Sequence, residues 1–139
     1  MCIRDRDWVE GGVALEEVTA FGRALHDMGY DYLHLTSGGN VARADIPGDQ
    51  PGYQLPFAAA VKAAAPGAAV MAVGMIFEPR QAEDIVASGQ ADLIAIARAA
   101  LDDPHWAHHA AVALGEEERL PKQYGRAAKG VWPGYGRSV

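Results

Sequence analysis

Apolar positions along this chain recur at two periods, and the alternation between them sets the order of elements. Leu15, Val18, Phe21, Leu25 and Met28 return every three or four residues, which predicts a helix with one apolar face, ended by Gly29. Residues 30–36 (YDYLHLT) switch to period two, with Tyr32, His34 and Thr36 on one side and Leu33 and Leu35 on the other. That is a strand, stopped by Ser37-Gly38-Gly39-Asn40. A second helix is predicted over 57–65 (FAAAVKAAA), entered from Pro56 and terminated by Pro66-Gly67.

The segment 69–101 carries the densest pattern. An apolar run over 69–73 ends in Gly74, a helical pattern over 79–87 starts at Pro79 and closes at Gly89, and a second apolar run over 93–97 ends in Arg98. Near-continuous apolar strands of this kind are those covered on both faces, so the segment reads as a βαβ unit. After Asp102-Asp103-Pro104 a last helix is predicted over 105–114, with Trp106, Ala110, Ala113 and Leu114 as packing residues. Strands separated by helices lie parallel through right-handed crossovers, so all three predicted strand ends share one rim.

Between these elements the pattern lapses in three places. Residues 1–6 (MCIRDR) carry charge without a period and read as a frayed terminus or a truncation scar. Residues 41–56, with three prolines and two glycines, form a loop longer than most in α/β units, of the sort that supplies rim residues. Beyond Gly115 the periodicity is lost. The irregular tail over 121–139 holds Tyr124, Trp132 and Tyr135 among glycines, with Arg126, Lys129 and Arg137 making it the net-positive region. The organisation expected is therefore a body over 7–120 with a terminal segment on either side.

Composition narrows the class. Half of the 139 residues are apolar and 22% are charged, a globular composition rather than a disordered one. A net charge of −6 without a Lys/Arg cluster argues against nucleic acid as a partner. A single cysteine, Cys2, suits a reducing compartment, and no apolar stretch approaches the length of a membrane span, so the cytoplasm is expected by elimination.

The candidate chemistry lies at the shared rim. Ser37-Gly38, Gly74 and Ala97-Arg98 follow the three strands, and glycine backbone with a guanidinium is an arrangement suited to an anion. A phosphate group held after the last two strands of a barrel is one reading, and turn glycines in a plain barrel are the other. His105 and His109, four apart, could share a metal, but no third ligand accompanies them, and a solvated helix face is the reading adopted. His34 reads as a packed, hydrogen-bonded histidine. There is no G-x-G-x-x-G, no P-loop and no G-x-S-x-G, and no nucleophile and base can be paired, so no catalytic residue and no metal ligand is assigned.

Six segments taken together (DWVEGGVALEE, YDYLHLTSGG, PGYQLPFA, AVMAVGMI, QAEDIVASGQADLIAIARAALDDPHWAHHAA and LPKQY) resemble the C-terminal part of the old yellow enzyme family, in its NADPH-dehydrogenase and xenobiotic-reductase branch. The resemblance implies an α/β fold, about strands six to eight of an FMN-binding TIM (β/α)8 barrel. It implies FMN as cofactor, NAD(P)H as reductant and an activated alkene as the small-molecule substrate. Carried over by position, Ser37 and Gly38 lie near the flavin, Val73 and Gly74 offer backbone N–H groups to its phosphate, and Ala97 and Arg98 form a second arm of the clamp. Gln54 is a rim residue without a catalytic role. Arg126 and Trp132 match tail residues that reach a neighbouring subunit's site, which implies a homo-oligomer.

The departures from the family pattern limit that expectation. An arginine facing the flavin on strand five falls by register at Cys2, and the strand-one-to-four residues that bind substrate and donate the proton lie outside the chain. The family often has glycine at the position of Ala97. The chain is expected to bind FMN weakly or not at all and to show no turnover alone. A different phosphate-binding barrel enzyme and a non-catalytic fragment are the alternatives.

Overall fold

The computed structural model describes residues 1–4, 7–39, 41–116 and 121–135. Asp5 and Arg6 of the N-terminal segment, Asn40 of the predicted turn, residues 117–120 and residues 136–139, Arg137 included, lie outside the described residues.

Four parallel strands form one open sheet in sequence order. They are β1 (Cys2–Arg4), β2 (Tyr32–Thr36), β3 (Ala69–Ala72) and β4 (Leu93–Ile94), joined by helices α1 (Leu15–Asp27), α2 (Leu55–Ala64) and α3 (Pro79–Ala87). Two further helices, α4 (Arg98–Asp102) and α5 (Trp106–Ala113), follow β4, and a 3-10 turn spans Lys122–Ala127. Three strands were expected. The fourth is β1, whose residues had read as a frayed terminus or scar: Cys2, Ile3 and Arg4 pair with His34, Leu35 and Thr36. Ile3, at 1% exposure, seats that strand in the core. A three-residue strand is too short for its period to be seen, and pairing with β2 rather than local pattern forms it.

Register explains which residues the sheet buries. Leu33 pairs with Val70, and Ala72 with Ile94. Ile3, Leu33, Leu35, Val70 and Ala72 are buried in one cluster with Val18, Leu25, Ala58, Val61, Ala82 and Ile85 of the helices. Tyr32, His34 and Thr36 therefore point to the face without helices, where the Tyr32 hydroxyl donates to the Met71 sulfur at 3.0 Å. The alternation read from the sequence is present; the structure decides its sides.

On α1 the buried stripe differs from the predicted one. Val18, Gly22 and Leu25 are buried, whereas Phe21 and Met28 are 50% and 74% exposed. Gly22 is the reason. A Cβ there would come within 2.7 Å of Val61 Cγ1, so the missing side chain lets α2 lie close and rotates α1 onto 18, 22 and 25. The N-terminus of α1 is secured without a capping oxygen on Ala14, because the Glu17 carboxylate accepts from the Ala14 N–H at 2.9 Å.

At the other end of the strands, one ion pair ties the layers. Lys62 Nζ lies 2.8 Å from Asp92 Oδ2, which also accepts from the Val70 N–H at 2.7 Å. Burial raises the Asp92 pKa, but the bonds from Lys62 and Val70 outweigh it and hold the carboxyl below its ordinary value. A folded-state pKa below the unfolded one contributes stability that is present above the unfolded pKa and lost as pH falls through the folded one. Asp92→Asn is thus expected to lower stability by about 1 kcal/mol at neutral pH, a figure kept small because the pair is partly solvated. The deficit should close in urea titrations below about pH 4; a deficit unchanged at about pH 3 would show that charge is not its source.

Candidate functional site

The C-terminal ends of β3 and β4 open into a cavity of about 750 Å³. Val73, Gly74, Ala97 and Arg98 line it, so four of the six sequence-assigned cofactor residues meet in one space. Ser37 and Gly38 do not line it. They are joined to it by Gln54, a 6%-exposed side chain whose Oε1 accepts from the Ser37 N–H. Its amide nitrogen would lie 2.9 Å from a Cβ on Gly74. Arg126 belongs to the exposed 3-10 turn and Trp132 is 50% exposed; neither reaches the cavity within its own chain.

The backbone after β3 turns through two consecutive positive-φ residues. Gly74 has φ +111°, followed by Met75 at φ +50°. The Gly74 carbonyl accepts from the Gly52 N–H at 2.9 Å, so the long loop over 41–54 folds back over the strand ends. Tyr53 and Gln54 enter the cavity wall from that loop. Gln54, read only as a rim residue, thereby becomes the bracket between two strand ends. Ala97 has a negative φ, −123°, so the position does not call for the left-handed conformation that favours glycine.

The Arg98 side chain is exposed and faces the Met75 sulfur at 3.5 Å; no carboxylate pairs with it among the described residues. A guanidinium with only a thioether beside it keeps its donors for another acceptor. The outer wall comes from α5, where Trp106 Nε1 donates to the Phe77 carbonyl at 2.6 Å and pins α5 to the loop after β3. Asp103 Oδ2 lies 2.6 Å from His109 Nδ1. That hydrogen bond, ahead of a smaller desolvation effect, holds the Asp103 carboxyl below its ordinary range.

The histidines divide. His109 lines the cavity and His105 does not, and no three-residue metal cluster exists among the described residues. His34 departs from the packed, hydrogen-bonded histidine expected. Its Nε2 is buried without a partner among the described residues, and burial, followed by the positive N-terminus, pushes its pKa down. The Ser37 hydroxyl is likewise buried and unpartnered among the described residues. Sequence reasoning missed Tyr53, Asp103 and His109 as wall residues; the Asp-Pro break before α5 was the one visible sign that the chain turns back there.

Among the described residues, no helix is long and apolar enough to cross a membrane. An NADPH dehydrogenase of Listeria welshimeri is 40% identical over 123 residues, covering 88% of this chain and 36% of that protein. One of Halalkalibacterium halodurans is 39% identical over 121 residues, 87% of this chain and 35% of that protein. A solved 2-naphthoyl-CoA reductase in complex with 2-naphthoyl-CoA superimposes with a TM-score of 0.69 at 26% identity, over 84% of this chain and 18% of that one. The chain thus spans about a third of the length of the curated relatives it matches, and its open parallel sheet is part of a barrel-like oxidoreductase fold. With residues 7–117 matching its profile, the chain belongs to the NADH:flavin oxidoreductase / NADH oxidase family.

Proposed function

We propose that this chain is the phosphate-holding part of an FMN-dependent NAD(P)H oxidoreductase of the ene-reductase type. In this reading β2, β3 and β4 are strands six to eight of a TIM barrel, with β1 in the place of strand five. The observation that carries it is that one cavity is lined both by Gly74, which has no Cβ, and by Arg98, which pairs with no carboxylate among the described residues. The donor set fits a phosphate monoester, since backbone N–H groups and a guanidinium are the usual partners of such an anion.

Each residue has a defined task. Arg98 donates charge-assisted hydrogen bonds to the phosphate, and the absent Cβ of Gly74 lets it approach the Val73-Gly74 backbone. Gln54 keeps the Ser37-Gly38 turn at a fixed distance from that backbone, so that Ser37 and Gly38 border the ring system beyond the phosphate. Bound FMN supplies hydride transfer between NAD(P)H and an activated alkene. This chain provides orientation and charge, while the groups that bind the alkene and donate its proton come from sequence outside it. In this reading Arg126 and Trp132, exposed in the tail, enter a neighbouring subunit's site in a homo-oligomer. The single cysteine suits a reducing compartment, and the cytoplasm is part of the proposal.

Titrating FMN and riboflavin separately into the purified chain tests this. A phosphate clamp without the rest of its barrel should bind FMN only in about the millimolar range and riboflavin about tenfold more weakly, with no alkene reduction. Equal binding of the two flavins overturns the phosphate assignment, and tight stoichiometric FMN binding overturns the division of the site between this chain and another segment.

A further inference from the structure

The sheet ends in two open edges. In the order β1-β2-β3-β4 the outer strands each have one neighbour, and no further strand exists among the described residues to cover them. On β1 the direction of the free edge is fixed by Met1, whose ammonium donates to the Tyr32 carbonyl at 2.9 Å and whose carbonyl accepts from the His34 N–H at 2.8 Å. Alternate residues of a strand bond to alternate sides, so Cys2 and Arg4 turn their backbone N–H and C=O groups away from β2. Unpaired edges of this kind are templates for another strand. We propose that a second copy of this chain fills them: two copies close about a two-fold axis along the strands, β4 of each pairing in parallel with β1 of the other, to form an eight-stranded barrel.

Symmetry selects this occupant. Rotation about an axis along the strands keeps the second copy's strands parallel to the first's, and it brings the β4 edge of each to the β1 edge of the other with the helices outside. Both seams then form at once and no edge is left over, so association stops at two. Four strands are half of the eight at which a parallel sheet closes around an interior filled by side chains. The copy stands where a longer chain places its own preceding strands, and it encloses the helix-free face that carries Tyr32, His34, Thr36 and Met71. Apolar side chains are exposed beside both edges: Met1 and Val9 on either side of β1, Leu93 within β4, and Leu101 on α4 directly after it. The outermost helix, α5, has no Lys, Arg, Asp or Glu in its sequence WAHHAAVA, and Ala110 is its one buried residue. Such a helix carries more apolar surface than its own chain covers. The pairing does not depend on what the cavity holds.

Light scattering coupled to size-exclusion chromatography, on the purified chain over about 1–100 μM, is expected to give twice the mass of one chain. Arg4→Pro removes an outward N–H from β1 without touching the bonds to β2. Leu101→Lys places a charge beside β4 at a side chain that is 82% exposed. Each is expected to weaken self-association about tenfold or more, because every seam of the closed pair then carries one defect. An equimolar mixture of the two variants should dimerise more tightly than either alone, since the mixed pair keeps one seam with neither change. Circular dichroism checks that each variant is folded, and Leu101→Lys carries the test if Arg4→Pro unseats β1. The mass of a single chain at every concentration overturns the proposal, as do masses that grow beyond two chains. Dissociation by Arg4→Pro with no effect of Leu101→Lys shows β1 paired with β1, and overturns it as well.

Discussion

Replacing Leu33 by alanine is expected to lower the unfolding free energy by about 3–4 kcal/mol, whereas Phe21→Ala should cost no more than about 0.5 kcal/mol. Leu33 is fully buried on the helix-covered face of β2, opposite Val70 in the parallel register. Its truncation removes three heavy atoms from water-free surroundings and leaves a cavity that a sheet centre cannot collapse to fill. Phe21 is the larger residue but is half-exposed on α1. Urea denaturation followed by circular dichroism separates the two. Because domains of this size hold only about 5–15 kcal/mol in total, Leu33→Ala should shift the midpoint by a large fraction of its value. Similar shifts for both variants would show that the apolar stripe of α1 is buried as its periodicity suggests, and that Gly22 does not set the rotation of that helix.

That contrast marks where the sequence was legible. Order and type of the elements from α1 to β4, and of α5, follow from period and punctuation: Pro79 and Gly89 bracket α3 at its observed limits, and the alternation of 32–36 is the pleat of β2. What local pattern could not supply is anything decided by a distant partner. β1 exists because β2 pairs with it, and α1 turns toward 18, 22 and 25 because Val61 fills the space a side chain at 22 would need. The run over 93–97 yields only Leu93–Ile94 as strand, since the chain leaves the sheet for α4 once the Ala95 N–H has bonded to the Ala72 carbonyl. At the candidate site, Gly74 and Arg98 were legible as cavity-wall residues, since a glycine and an arginine at strand ends stand out in the sequence. Gln54 and His109 were not, because their places in the wall depend on a loop folding back over β3 and on the contact of His109 with Asp103.

Gly74→Ala should combine a loss of stability with a loss of flavin selectivity. At φ +111° the backbone lies beyond the left-handed well that alanine tolerates, which costs about 1–2 kcal/mol. The added methyl carbon would also stand 2.9 Å from Gln54 Nε2, 3.0 Å from its Cγ and 3.1 Å from Tyr53 Cε1. Gln54 has little room to yield: its Oε1 is engaged by the Ser37 N–H, and the side chain is almost fully buried. The crowding adds about 1–3 kcal/mol, for an expected total of about 2–5 kcal/mol. Because the methyl displaces Gln54 and Tyr53, which form the cavity wall beside Val73-Gly74, the preference for FMN over riboflavin should fall with it. Arg98→Ala offers the complementary case: the side chain is exposed, so stability should stay within about 0.5 kcal/mol of the parent while the FMN preference falls away. A Gly74→Ala, Gln54→Ala double variant separates strain from collision. If the methyl collides with Gln54, the two losses are sub-additive by at least about 1 kcal/mol in a double-mutant cycle; strict additivity would leave backbone strain as the whole cost and remove Gln54 from the support of the clamp.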